Sequence, residues 1–114
     1  MEAPVVGIDL SKDKLIMYFQ GKHYEFPNYR QGFEEIRKIL HKGCKIGIES
    51  TGVYHINLAK YLMGEYDVRI VFIGKALNSI IPMNTYLNIC YYFKIDSIDQ
   101  QFRYKNIMII DIVL

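Results

Sequence analysis

Apolar residues come first in short unbroken blocks and then at helical spacing. Val5 to Leu10 is an apolar run of strand length, suited to burial on both faces, and Asp9 is its one charged position. Ser11-Lys12-Asp13 reads as a turn. The runs from Leu15 to Phe19 and from Lys22 to Phe26 flank Gln20-Gly21, a pairing that predicts a hairpin and hence an antiparallel meander of three strands. After Pro27, Asn28 is placed to cap a helix, with Gln31 three residues on as the partner of a capping box. Phe33, Ile36 and Leu40 then recur on one helical face, with Glu34, Glu35, Arg37 and Lys38 turned largely away, and Gly43 closes the segment.

Lys45 to Glu49 returns as a strand, and Ser50-Thr51-Gly52 turns the chain. A second helix is predicted from about Val53 to Met63, with Leu58, Tyr61 and Leu62 inward and Gly64 as its stop. Val68 to Ile73 is another buried strand. The order β-β-β-α-β-α-β predicts an α/β domain of the ribonuclease H-like fold, a mixed five-stranded sheet with flanking helices on its faces. In that arrangement the first and fourth strands are neighbours, so Asp9 and Glu49 become partners at the rim of the sheet. Crossover handedness favours such packing without fixing the strand order.

Beyond residue 75 the pattern loosens. Asn78, Pro82, Asn84, Thr85 and Asn88 interrupt any long helix, while Tyr86, Leu87, Ile89, Tyr91, Tyr92 and Phe93 suit a core, an interface or a nucleic-acid surface. Residues 96–103 can form a last helix. Residues 107–114 favour a strand by their β-branched content and a helix by the demands of the fold. The absence of repeats and linkers makes residues 1–114 one expected domain.

Composition narrows the class. Of the 114 residues, 51% are hydrophobic, with ten Tyr and six Phe, enough for an independent core. The uncharged stretch 76–93 is too polar for lipid contact, and no basic leader with an apolar run opens the chain, so a soluble, cytoplasmic protein with no membrane partner is expected. Cys44 and Cys90 have neither the number nor the spacing of a disulfide scaffold or zinc site and read as buried thiols. A formal net charge of +2 is compatible with nucleic acid but does not require it.

The candidate chemistry rests on carboxylates. Asp9 and Glu49 each stand where a strand runs out, and Asp96 and Asp99 share one helical face at i,i+3 spacing. Gathered together, such oxygens suit Mg²⁺ or Mn²⁺ in phosphodiester chemistry, with Asp9 bridging two ions, Glu49 holding one, and Asp96 and Asp99 completing the site. Each acid also has a plain structural role open to it. Asp9 can accept hydrogen bonds from the Ser11–Lys14 turn, Glu49 can cap the turn at 50–53, and Asp96 and Asp99 can lie on a solvated face. Ser50 and Thr51 are placed to meet phosphate or to cap the following helix, and Gly52 to ease the tight turn between strand and helix. Tyr54 and His55 point to the same rim, whereas His23 and His41 read as surface residues. Lys12, Lys14, Lys75 and Lys94 are candidate contacts to a phosphate backbone, though exposed lysines need no such role.

Several of these positions resemble one family. Gly7-Ile8-Asp9-Leu10-Ser11-Lys12 is similar to the opening GIDxSK motif of the DEDD transposases, insertion-sequence recombinases with a RuvC-like N-terminal domain. Glu49-Ser50-Thr51-Gly52-Val53-Tyr54-His55, with Leu58 beyond, resembles their ESTGxY motif, and Phe26-Pro27-Asn28 with Gly32 resembles their FxN…G link into the first helix. Lys94-Ile95-Asp96-Ser97-Ile98-Asp99 is similar to the KTDxxDA element, but Ile95 replaces its Thr and Gln100 its Ala. Gly74-Lys75 stands where the family has Asn-Pro.

The resemblance implies DNA transposition or recombination, a catalytic and metal-binding set of Asp9, Glu49, Asp96 and Asp99, and Mg²⁺ or Mn²⁺ as cofactor. It further implies DNA as substrate, a structured guide RNA, a homo-oligomer, and a C-terminal serine domain that lies past residue 114 and would come from a partner chain. If residues 1–114 are the whole protein, the chain is expected to be a truncated or decayed form of such an enzyme. The alternative is a catalytically inactive remnant, a folded domain that dimerises or binds nucleic acid through Tyr86 to Phe93. A ribonuclease H-like phosphotransferase is the more distant option, since neither a second lobe nor glycine-rich phosphate turns are visible.

Overall fold

Strands β1 (Val5–Leu10), β2 (Lys14–Phe19) and β3 (Lys22–Pro27) form the expected antiparallel meander in a computed structural model that describes residues 4–50, 52–72 and 79–98. The turn between β2 and β3 works because both of its residues adopt left-handed backbone, Gln20 at φ 51° and Gly21 at φ 77°. This is the geometry that lets a two-residue connection follow the twist of its strands. Helix α1 (Arg30–Ile39) leads to β4 (Lys45–Glu49), and α2 (Ile56–Leu62) leads to β5 (Asp67–Phe72). Strand β4 pairs in parallel with both β1 and β5, as two crossovers through helices require.

The sheet has six strands in the described residues, in the order β3-β2-β1-β4-β5-β6. The added strand β6 (Ser79–Pro82) pairs antiparallel with β5 and is followed directly by α3 (Met83–Phe93). Five strands were expected, and the sixth is short and carries a proline. Pro82 ends the strand at the sheet's edge and serves as N-cap of α3, where its missing N–H costs nothing. Two helix starts also differ from expectation. Helix α2 begins at Ile56 rather than near Val53, because residues 52–55 form turns. Helix α1 is capped at Tyr29 with no side-chain cap, so Asn28 and Gln31 form no capping box.

Alternation along the strands explains the layers. Val6, Ile8 and Leu10 of β1 and Ile46 and Ile48 of β4 are buried, as are Val68, Ile70 and Phe72 of β5, all pointing to the face that the helices cover. Phe33, Ile36, Leu58, Leu62 and Tyr86 descend onto them from α1, α2 and α3. Burying each such aliphatic side chain is worth about 1.5–3 kcal/mol. Gly32 lets α1 reach the sheet. A Cβ there would lie 2.0 Å from the carbonyl oxygen of Pro27, a backbone atom that cannot turn aside. The opposite face carries Val5, Gly7, Asp9, Tyr18, Gly47 and Ile80, and Val5, Tyr18 and Ile80 are exposed on it. The described structure is therefore a mixed sheet with its helices on one side, where helices on both faces had been expected.

Candidate functional site

Asp9 and Glu49 come together through strand register. Ile8 pairs with Ile48 in the parallel β1–β4 ladder, and each acid is the next residue on its strand. Neighbouring strands lie roughly 4.8 Å apart, and residues two apart share a face, so the carboxylates emerge side by side beyond Gly7 and Gly47. Both line one shallow hollow of about 430 Å³ on the uncovered face, with Val5, Tyr18, Val71 and Ile80 as its apolar walls. Asp9 is exposed and its carboxylate makes no hydrogen bond or ion pair among the described residues, so its alternative role as acceptor for the Ser11–Lys14 turn is not the one seen. Glu49 is half-buried. Like charges on adjacent strands repel, by on the order of 1 kcal/mol at 4 Å in water, and a divalent cation bound between two carboxylates removes that cost.

The later acids do not join them in the same way. Asp96 is exposed, and Asp99 lies outside the described residues. Among the described residues no group of three or more His, Cys, Asp or Glu side chains is close enough to hold a metal ion. The donor set on view is thus a pair of carboxylates. Magnesium is commonly held by one or two carboxylates, with waters and substrate phosphates filling its octahedron, and that pair is compatible with such a site.

Asn28 fixes the loops that frame the rim. Its Nδ2 donates to the carbonyl of Ser11 at 2.8 Å and to that of Tyr54 at 3.1 Å, and its backbone N–H donates to Asp13 at 3.0 Å. One side chain therefore ties the turn after β1 to the loop after β4. Its Oδ1 is buried and has no hydrogen-bond partner among the described residues. The expected helix-capping role gives way to this bridge because Asn28 sits where β3 has just brought the chain back alongside the Asp13 turn.

His55 and Ser50 do something other than face a substrate. His55 is fully buried, its Nε2 2.7 Å from the hydroxyl of Tyr86, which is also fully buried. The Ile98 backbone N–H donates to that hydroxyl at 2.7 Å, and the hydroxyl lies 3.3 Å from the Ile98 carbonyl. Ser50 Oγ donates to the same carbonyl at 2.7 Å, so it closes on a distant segment instead of capping α2. Tyr86 stacks on Phe72 and meets His55 edge-on. Sequence reasoning placed Tyr86 only within an aromatic stretch. Its signal was the helical spacing of Met83, Tyr86 and Cys90, which marks the buried face of α3.

The basic candidates are dispersed. Lys14 pairs with Glu25 at 2.8 Å across β2 and β3, and that hydrogen bond and charge raise its pKa. Lys12 and Tyr54 are exposed near the rim, and Lys94 is exposed at the left-handed C-cap of α3. Thr51 and Lys75 lie outside the described residues. Cys44 and Cys90 are buried free thiols, as expected, and burial pushes the Cys90 thiol up from its ordinary range. His23 and His41 are exposed. Among the described residues, no helix is long and apolar enough to cross a membrane.

No protein-family model matches this chain. No curated protein matches it in sequence.

Proposed function

We propose that the chain is the ribonuclease H-like, RuvC-like domain of a DEDD-type transposase, acting in Mg²⁺-dependent processing of DNA strands in the cytoplasm. The observation that carries this reading is the adjacency of Asp9 and Glu49 at the carboxyl ends of parallel strands. It joins the motifs around them, Gly7 to Lys12 and Glu49 to His55, on one rim. Asp9 and Glu49 would hold the ion, with Asp96 and Asp99 as further ligands. A bound divalent ion supplies charge stabilisation at a phosphoryl oxygen and a more acidic water. Asn28 ties together the loops that follow the two acid-bearing strands, and Lys12, Tyr54 and Lys94 are exposed groups available to a DNA backbone. The serine domain, a guide RNA and further copies of the chain are the proposed partners.

A second reading has its own support. The described residues bring only two acids together, and Tyr91 and Tyr92 stand 87% and 78% exposed on α3. These features favour a noncatalytic domain that associates through α3. Thermal unfolding under Mg²⁺ or Mn²⁺ separates the two. A metal-binding rim predicts a rise in stability with the ion that is absent in Asp9→Asn. A remnant predicts equal curves for both proteins and sedimentation that depends on Tyr91 and Tyr92.

A further inference from the structure

Two shallow hollows lie side by side on the uncovered face of the sheet, and Tyr18 stands between them. One, of about 430 Å³, extends over Gly47 toward Lys45 and Arg69. The other, of about 440 Å³, extends toward Lys22 and His23, where β3 begins. Val5, Gly7 and Tyr18 line both. Register explains the shape, because His23, Tyr18, Gly7, Gly47 and Arg69 are successive partners in one row from β3 to β5. Directly paired residues share a face, so the row sets two rings, a stretch of bare backbone and a guanidinium on one surface. The Tyr18 and His23 rings lie 6.3 Å apart, and both residues are exposed. A Cβ built on Gly7 would meet nothing within 4 Å, so the space above that floor is open.

Charge is sorted along the strands of this face. Lys45 lies two residues before Gly47 and Glu49 two residues after it, roughly 7 Å to either side. Lys45 and Lys22 are exposed and make no ion pair among the described residues. The Arg69 guanidinium gives two of its five donors to Asp67, and Glu25 is paired with Lys14. Asp9 and Glu49 stand apart from these cations, on the rim. A second copy of the chain does not complete such a face. A two-fold axis along the row sets Arg69 against its copy, one along the strands sets acid against acid, and either leaves hollow facing hollow.

The occupant that fits is flat-faced, repeating and anionic. We infer that this face is a binding platform for single-stranded DNA, with consecutive bases stacked on the two sides of Tyr18, one in each hollow, and phosphates held by Lys45 and Arg69 at one end and by Lys22 at the other. Stacking on an aromatic ring needs bases with free faces, which a duplex does not offer. No Ser, Thr, Asn or Gln side chain lines the first hollow to recognise a ribose 2′-hydroxyl, which favours deoxyribose. The platform itself requires no metal. That its strand leads on to an ion at Asp9 and Glu49 rests on the reading of that rim as a metal site.

The test titrates the full chain into fluorescein-labelled oligothymidylate of about twelve nucleotides and follows anisotropy over a salt series, in EDTA and again with Mg²⁺. Tyr18→Ala should weaken binding roughly 5- to 150-fold and leave the salt dependence as it is, while Tyr18→Phe, which keeps the ring, should bind like wild type. Lys45→Ala should lower the slope of log affinity against log salt by about 0.7, the share of one phosphate contact on a single strand. A duplex or an oligouridylate of the same length should bind more weakly. Binding that survives both alanine substitutions unchanged, or a duplex or oligouridylate that binds as tightly, would overturn the inference. So would a full chain that binds no oligothymidylate in either buffer, whether a second copy or residues 107–114 fill the hollows instead. Tyr18-dependent binding that is equal in Mg²⁺ and EDTA would uphold the platform and count against the metal at the rim. Stabilisation by Mg²⁺ without oligothymidylate binding would overturn the platform alone.

Discussion

Asp9 and Glu49 each stand one residue past the Ile8–Ile48 pair on adjacent parallel strands, and their side chains share the face that no described helix covers. The alternation that buries Ile8 and Ile48 is the same alternation that turns both acids outward together. A slip of one residue in either strand would send one of them into the core, so register fixes their meeting as firmly as it fixes the hydrophobic layer. Gly7 and Gly47, paired beneath them, leave the floor of the hollow low.

The proposed metal site predicts linkage between ion binding and stability. At a Mg²⁺ or Mn²⁺ concentration one hundred times its dissociation constant, the wild-type chain should gain about 2.7 kcal/mol of stability. Asp9→Asn and Glu49→Gln should each lose most of that gain while keeping the fold of the metal-free protein. Chemical denaturation with and without the ion measures this.

Asn28 gives a test of the frame around the rim. Asn28→Ala removes two donated hydrogen bonds and leaves the carbonyls of Ser11 and Tyr54 without that partner, an expected loss of about 1–3 kcal/mol. Asn28→Asp should cost more at neutral pH, because a carboxylate would face two carbonyl oxygens. Its folded-state pKa would be raised, so the extra cost should fade as pH drops toward and below the ordinary carboxylate range. Urea denaturation of the variants at pH 7 and pH 4 separates these outcomes.

Gly32→Ala probes the seat of α1. The new methyl would meet the Pro27 backbone, forcing helix or strand to shift, and a loss of about 1–3 kcal/mol is expected even though alanine favours helices. An unchanged or raised melting temperature would show that α1 does not approach β3 so closely.

The thiol of Cys90 predicts the alkaline limb of stability. Burial raises its pKa above the ordinary 9.0, so above that value the unfolded chain ionises while the folded chain stays protonated. Stability from this group is complete below pH 9.0 and falls as pH rises toward the folded-state pKa. Tyr66, raised mainly by burial from its ordinary 10.0, adds a similar loss at higher pH. Cys90→Ala should move the onset of alkaline destabilisation upward, as pH-dependent denaturation would record.

The strands were legible in the sequence where a short apolar run ended in a turn signal. Val5–Leu10, Lys45–Glu49 and the hairpin at Gln20-Gly21 fall where such signals place them, and the buried register between β1 and β4 follows from them. Strand β6 was not legible, because its four residues, one a proline, carry no alternation long enough to separate strand from loop. The capping roles expected of Asn28 and Ser50 were misread for one shared reason. Local rules assign a polar residue near a helix start to that helix, whereas here the partners are Ser11 and Ile98, which only the folded sheet brings near. His55, expected at the rim, is instead buried against Tyr86, a partner 31 residues on. Tyr86 itself looked like one aromatic among several until Phe72 and His55 enclosed it.

The most direct test of the shared-cation site is a crystal of the full chain soaked in Mn²⁺ and measured at an X-ray energy where manganese scatters anomalously. The account predicts an anomalous peak at roughly 2.0–2.3 Å from carboxylate oxygens of both Asp9 and Glu49. A crystal at saturating Mn²⁺ with no peak between those two side chains, or with manganese bound only elsewhere, would contradict it.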